Sequence, residues 1–548
     1  MKILDIVVLI VYFAAMASIG PLVSRRGRTT EGYFVGNRSF GGWLIGITMF
    51  ATSISSITFV AYPADAYKTA YLRFLPCIML PVGILIASAV FLPYFRRAHI
   101  TSAFEYLENR FGPGIRGYAA VAFLFTQVFR QSMVLYLVSL LVYEMTGFNP
   151  YICILIGGVV TAFYTVTGGI EAVIWTDFIQ SFLLWGGGLL CFLVIAFSID
   201  GGLIRIFTEA WADGKFMLGD LNMDTGQLEP ARWGFSLSDK TVFMMLLLGL
   251  TNWLTEYSSN QNVIQKYVAT RNPKEAKKAI WVCCACSVPT WGFFMLLGTA
   301  LYVYFKLNPA PEAAAMLTGE GGAKADGILP FFVIRRLPAG LSGLVIAGVL
   351  AAAMSSISSS INCVSAVSVV DLYKRHMAKG RSDRHYVVAA KTISVASAIL
   401  MLIGAVMLMS ASDKTLQDTA TKLGSLLAAG LLGLYLLGFL TRRGDGRAVA
   451  VGIVCTVLFT FYMMGVEFGW ISVEMYTSMG VSQGAAEWLA QPIDTYYATL
   501  VGNALMFGVS YVLAALVFRT KRDLTNLTVW TTPRVPVEEV EPVSLNSQ

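Results

Sequence analysis

The sequence predicts an all-α polytopic membrane protein with about thirteen membrane-spanning helices. Three observations carry that expectation. Of the 548 residues, 56% are hydrophobic and 13% charged, roughly half the charge of a soluble domain. Apolar runs of about 20 residues, each long enough to cross a bilayer, recur from end to end. Lysine and arginine gather in alternate connecting loops, the pattern of a chain that crosses a membrane repeatedly.

The expected spans are 3–23, 42–67, 72–95, 118–143, 151–164, 172–198, 241–264, 279–305, 341–372, 387–409, 420–440, 448–464 and 499–518. A lipid-exposed backbone must satisfy its own hydrogen bonds, so each span is expected as a helix. Ala15-Met16-Ala17 in the first span resembles a signal-peptide cleavage site. Its flanks fit the topology and a basic cluster follows at once, so it is read as a span.

Basic residues orient the chain. Arg25, Arg26, Arg28 and Arg38 follow the first span, and Arg96, Arg97, Arg110 and Arg116 the third. Lys266, Arg271, Lys274, Lys277 and Lys278 follow the seventh. Lys374, Arg375, Lys379, Arg381, Arg384 and Lys391 follow the ninth, and Arg442, Arg443 and Arg447 the eleventh. Apart from the short fifth loop, every odd-numbered loop is basic, which makes these loops cytoplasmic. The N-terminus is then expected outside and the C-terminus inside. The net charge of +7 reports this topology, and nucleic acid is not an expected partner. Cys77, Cys153, Cys191, Cys283, Cys284, Cys286, Cys363 and Cys455 lie in or near apolar spans and read as small hydrophobes. Residues 520–548 are polar and expected to be a disordered cytoplasmic tail.

Polar residues are costly inside a membrane, so those within spans mark function. The second span contains "FATSISSITFVAYPADAY" (50–67) and the seventh "LGLTNWLTEYSSNQNVIQKY" (248–267). Both look interrupted. They lie five spans apart and, leaving aside the first span, open two blocks of five helices. Transporter sites are built where such breaks occur in corresponding positions of two repeats. Organisation follows as an extra N-terminal helix and loop at 1–41, a first five-helix repeat with its outer loop at 42–240, a second at 241–446, and two C-terminal helices at 447–519. Arg130, Asp177, Glu256 and Arg73 are ionisable residues within or bordering spans.

In "AAAMSSISSSIN" (351–362), Ser355, Ser358 and Ser359 share one helix face, with Ser356 and Ser360 beside it. Hydroxyls with carbonyls freed by a broken helix suit a hard monovalent cation. A face of small residues for close helix packing fits the same composition.

Together, "FATSISSITFVAYPADAY", "ITSAFEYLENRFG", "GGIEAVIWTDFIQ" and "AAAMSSISSSIN" closely resemble the solute:sodium symporter family, and the resemblance runs from about Ile3 to Phe518. Within the family the bacterial sialic acid symporters look most similar. The resemblance implies the LeuT-type fold of five-plus-five inverted repeats, alternating access, and Na+ as the coupling ion. It implies one sodium site made of the carbonyls of Ala51, Ile54 and Ala352 with the hydroxyls of Ser355 and Ser356. It implies a second, present in some members, made of Asp177, Ser355, Ser358 and Ser359. Substrate contacts would come from Ser53, Ser55, Ser56, Thr58 and Arg130, with Arg73 and Glu256 in the same shell. Arg73 and Cys77 stand where sialic acid symporters carry an aromatic residue and a glutamine, so the ligand shell differs.

The expected function is sodium-coupled import of a carboxylated sugar or another organic acid. A neutral sugar, with Arg130 paired internally, is the other reading. A sodium-dependent sensor or a leak pathway is the rival class. The expected partners are the organic solute, sodium ions and the lipid of a bacterial cytoplasmic membrane, with the chain a monomer. No nucleophile–base set, phosphate loop or metal cluster in the sequence suggests an enzyme.

Overall fold

The computed structural model describes residues 2–24, 29–97, 101–222, 225–320, 324–409, 430–490, 492–518 and 523–531. Nine helices among the described residues are long and apolar enough to cross a membrane, or ten if the bent pair Gly42–Ser53 and Ser56–Lys68 counts as one span. The chain is a helical integral membrane protein. It divides into two units, 1–77, 127–231 and 265–418 in the first, 78–126, 232–264 and 419–548 in the second.

In the first unit, every residue of the Leu341–Val367 helix from Val345 onward is buried. The alanines and serines of this helix leave little side-chain bulk, so neighbouring helices approach it closely. Its main neighbour is Pro150–Ser198. That 49-residue helix would run about 73 Å if straight, more than twice a hydrocarbon core of about 30 Å. It breaks at Gly169, whose φ is +60°. A Cβ there would also lie 2.7 Å from the Tyr33 carbonyl oxygen, so only glycine suits the position. The break divides the expected spans 151–164 and 172–198.

The Ile3–Val23 helix buries Asp5, Leu9, Tyr12, Met16 and Gly20, a stripe at helical spacing, and exposes Val7, Ile10 and Val11 towards what would be lipid. Asp5 caps the serine helix from outside it. Its carboxylate accepts from Gly340 N at 2.7 Å, Ser342 Oγ at 2.8 Å and Gly343 N at 2.9 Å, satisfying donors that a helix start leaves open. The first expected span is therefore a packed part of the structure. The Pro273–Leu307 helix covers Gly42–Ser53 and Ser56–Lys68. Its Gly298 meets the Pro63 backbone so closely that any side chain would collide.

One element departs from the all-helical expectation. In the connection that follows Pro150–Ser198, Gly219–Leu221 and Leu228–Pro230 pair as a short antiparallel hairpin.

In the second unit, Glu105–Phe111 packs on Leu431–Leu440. The rings of Tyr106 and Phe439 stack with centroids 4.1 Å apart. Residues 523–531, expected to be disordered, are tied down here. Val529 N donates to Phe439 O at 3.0 Å and Trp530 Nε1 to Leu440 O at 2.7 Å. The remainder of the expected tail, 520–522 and 532–548, and the first part of the expected span at 420–440, residues 420–429, lie outside the described residues.

Candidate functional site

The first half of the broken helix ends at Ser53. Ile54 (φ −96°, ψ 110°) and Ser55 (φ −101°, ψ 175°) are extended, and a new helix starts at Ser56. The two halves meet at a bend of 57°. A helix end leaves carbonyls without intrahelical partners, and the serine helix meets two of them. Ser355 Oγ donates to Ala51 O at 2.9 Å and Ser356 Oγ to Thr52 O at 3.3 Å. The same hydroxyls reach Ala352 O at 3.1 and 3.4 Å. Ala51, Ala352, Ser355 and Ser356 thus converge, with Ile54 in the break itself. The oxygens are uncharged, buried and concentrated, which is what a hard monovalent cation needs.

One turn further along the serine helix lies Asp177, 0% exposed. Its Oδ1 accepts from Ser358 Oγ at 3.3 Å, and its Oδ2 from Ser359 Oγ and Thr52 Oγ1, both at 3.2 Å. Ser355 is not bonded to Asp177 directly; Ser358 Oγ links the two by also donating to Ser355 O at 3.1 Å. The expected second set is therefore assembled, together with a residue that sequence reasoning assigned elsewhere. Lys266 Nζ lies 2.7 Å from Asp177 Oδ2 and 2.9 Å from Thr48 O, and it also bonds Thr52 Oγ1. Lys266 is 2% exposed. It belongs to the Gln261–Val268 helix and is not a loop charge, so it drops out of the basic cluster used for topology. Its only signal in the sequence is its position in "NVIQKYV" directly after the seventh apolar span, ahead of Lys274, Lys277 and Lys278.

The expected substrate residues are distributed differently. Ser53, Ser55, Ser56 and Thr58 line the break and its second half. Ser53 Oγ donates back to Met49 O at 2.9 Å. Ser56 Oγ is buried with no hydrogen-bond partner among the described residues. Arg130 lies at the middle of the Pro113–Thr146 helix. Arg73 is engaged by two carboxylates, Asp65 at 2.8 Å and Asp220 at 3.0 Å. Cys77 Sγ lies 3.2 Å from Tyr62 Oη. Glu256 belongs to the second unit, where Asn260, at the break between Val242–Ser259 and Gln261–Val268, donates to it.

A sequence profile of the sodium:solute symporter family matches residues 33–478. The sodium/sialic acid symporter SiaT of Proteus mirabilis (strain HI4320) is 33% identical over 452 residues, which cover 82% of this chain and 87% of that protein. The sodium/sialic acid symporter NanT of Aliivibrio fischeri (strain ATCC 700601 / ES114) is 31% identical over 458 residues, covering 83% and 86%. Among solved structures, a Na+-coupled sialic acid symporter in a substrate-bound outward-open state superposes with a TM-score of 0.80 at 29% identity, covering 94% of this chain and 98% of that one.

Proposed function

The chain belongs to the sodium:solute symporter family, and from that premise we propose that it imports a carboxylated sugar of the sialic acid class together with sodium, by alternating access, across a bacterial cytoplasmic membrane. The coupling ion is Na+. The observation that carries the proposal is the approach of the Ser355 and Ser356 hydroxyls to the Ala51 and Thr52 carbonyls at the helix break. We assign the first sodium to Ala51, Ile54, Ala352, Ser355 and Ser356. Asp177 with Ser355, Ser358 and Ser359 makes a second cation site. The substrate is assigned to the hydroxyls of Ser53, Ser55, Ser56 and Thr58 and to Arg130, whose planar fork matches a carboxylate. Arg73 is assigned to the same shell, where it holds Asp65 and Asp220.

The finer topology belongs to the same proposal. Thirteen spans follow if the 49-residue helix counts as two at Gly169, the helices broken at Ile54 and Asn260 count as one each, and the short apolar helix Leu431–Leu440 counts as a further span. Those two breaks, five spans apart, support five-plus-five inverted repeats. The basic loops that remain after Lys266 is removed support an outside N-terminus and an inside C-terminus, and the chain functions as a monomer.

Removing a ligating hydroxyl takes away an oxygen without adding bulk. Ser355→Ala/Ser356→Ala should therefore raise the sodium concentration for half-maximal uptake by tenfold or more, about 1.4 kcal/mol, at normal protein abundance. Unchanged sodium dependence in a well-expressed double variant returns these serines to helix packing.

A further inference from the structure

The cation already at Asp177 belongs to the protein. An ammonium has three protons to donate. Thr48 O, Thr52 Oγ1 and Asp177 Oδ2 take all three from Lys266. Lysine is a compact point charge, the side chain nearest in character to a monovalent metal ion. The pair is 2% and 0% exposed, and its charges cancel. The hydroxyls around it agree with that state. The Ser358, Ser359 and Thr52 hydroxyls lie within hydrogen-bond reach of the carboxylate at 3.2–3.3 Å, and no further carboxylate is bonded to this cluster among the described residues. A sodium added here would be a second cation on one buried carboxylate, leaving a net positive charge where water is excluded, a costly arrangement. Ser355 and Ser356 point elsewhere, to the carbonyls of the first site, so that site does not depend on Asp177.

We propose that the Lys266 ammonium is the resident cation of the Asp177 site, standing where a second sodium would bind, so that each transport cycle is coupled to a single sodium ion. The inference rests on the sodium-symport reading and adds its stoichiometry. One sodium entering with one monoanionic substrate moves no net charge, so the membrane potential does not drive uptake. Two would make uptake electrogenic, at about 2.3 kcal/mol per charge and 100 mV.

Equilibrium binding of radioactive sodium to the purified full-length protein, without any organic solute, tests this. The native protein binds one sodium per chain with a Hill coefficient of one. Lys266→Gln removes the charge, uncovers Asp177 and gains a second bound sodium. Adding Asp177→Asn to it returns the count to one. Two ions bound by the native protein overturn the inference alone, and this result does not depend on any variant folding. A folded Lys266→Gln protein that still binds a single sodium overturns it too. An absence of sodium binding overturns the symport reading, and the inference falls with it.

Discussion

Arg130 lies within an apolar span and Arg73 at the edge of one, and their surroundings separate them further. The Arg73 guanidinium is shared between Asp65 and Asp220, so two carboxylates already balance its charge. Arg130 stands at the centre of a 34-residue helix, where a charge is costly unless it has work to do. Lysine keeps the charge and loses the bidentate fork. Arg130→Lys should weaken sialic acid binding by roughly tenfold or more, the worth of a charge-assisted hydrogen bond, while sodium binding persists. Undiminished sialic acid affinity in Arg130→Ala contradicts the role. A buried lysine lies in the connection 199–241. Lys215 Nζ donates to Tyr67 O and Thr69 O, both at 2.8 Å, and sits 4.3 Å from the centre of the Tyr302 ring. Burial pushes it down from 10.5 to about 7, against the opposing pull of Asp65 and Asp213. Between those two values the unfolded chain holds a proton that the folded chain has lost, so stability rises with pH across that window and the cost of burying the charge is fully present below it. Relative to Lys215→Met, native thermal stability should improve as pH is raised from about 7 towards 10. A constant difference between the two melting curves makes Lys215 an ordinary lysine.

At the scale of elements, the motif "ITSAFEYLENRFG" proves architectural. Glu105 accepts from Thr101 N and Ser102 N at 3.1 and 3.0 Å. Arg110, 1% exposed, donates to Gly438 O, Thr441 O, Arg443 O and Gly444 O at 3.1–3.3 Å. It thereby collects the carbonyls at and beyond the end of Leu431–Leu440. Arg110→Met strands these acceptors and should cost on the order of 3 kcal/mol, read as a lower thermal midpoint, with Arg110→Lys intermediate. An unchanged midpoint in Arg110→Met removes the arginine from the account of the second unit. Helices of this kind are legible in sequence because membrane length and apolar composition are local properties. Where a helix breaks is less so. Ile54 stands out by its serines, whereas Gly169 is one glycine among 50, and its role depends on the approach of Tyr33.

For the whole molecule, the serine wall was legible because hydroxyls inside a membrane need a reason, and Asp177 for the same reason. Lys266 was not, because a lysine near the end of a span counts equally well as a cytoplasmic charge; only the fold brings it to Asp177. The hairpin at Gly219–Leu221 escaped notice because its three-residue strands are too short for any periodicity. What the assembled parts amount to is a machine that couples a sodium gradient to solute movement, and accumulation is the property that distinguishes it from a leak or a sensor. The decisive measurement is uptake of labelled sialic acid into proteoliposomes that contain the purified protein and carry an inward sodium gradient. The predicted result is an internal concentration that rises above the external one and collapses when a sodium ionophore dissipates the gradient. Filling only to the external level, or uptake indifferent to sodium, would contradict it.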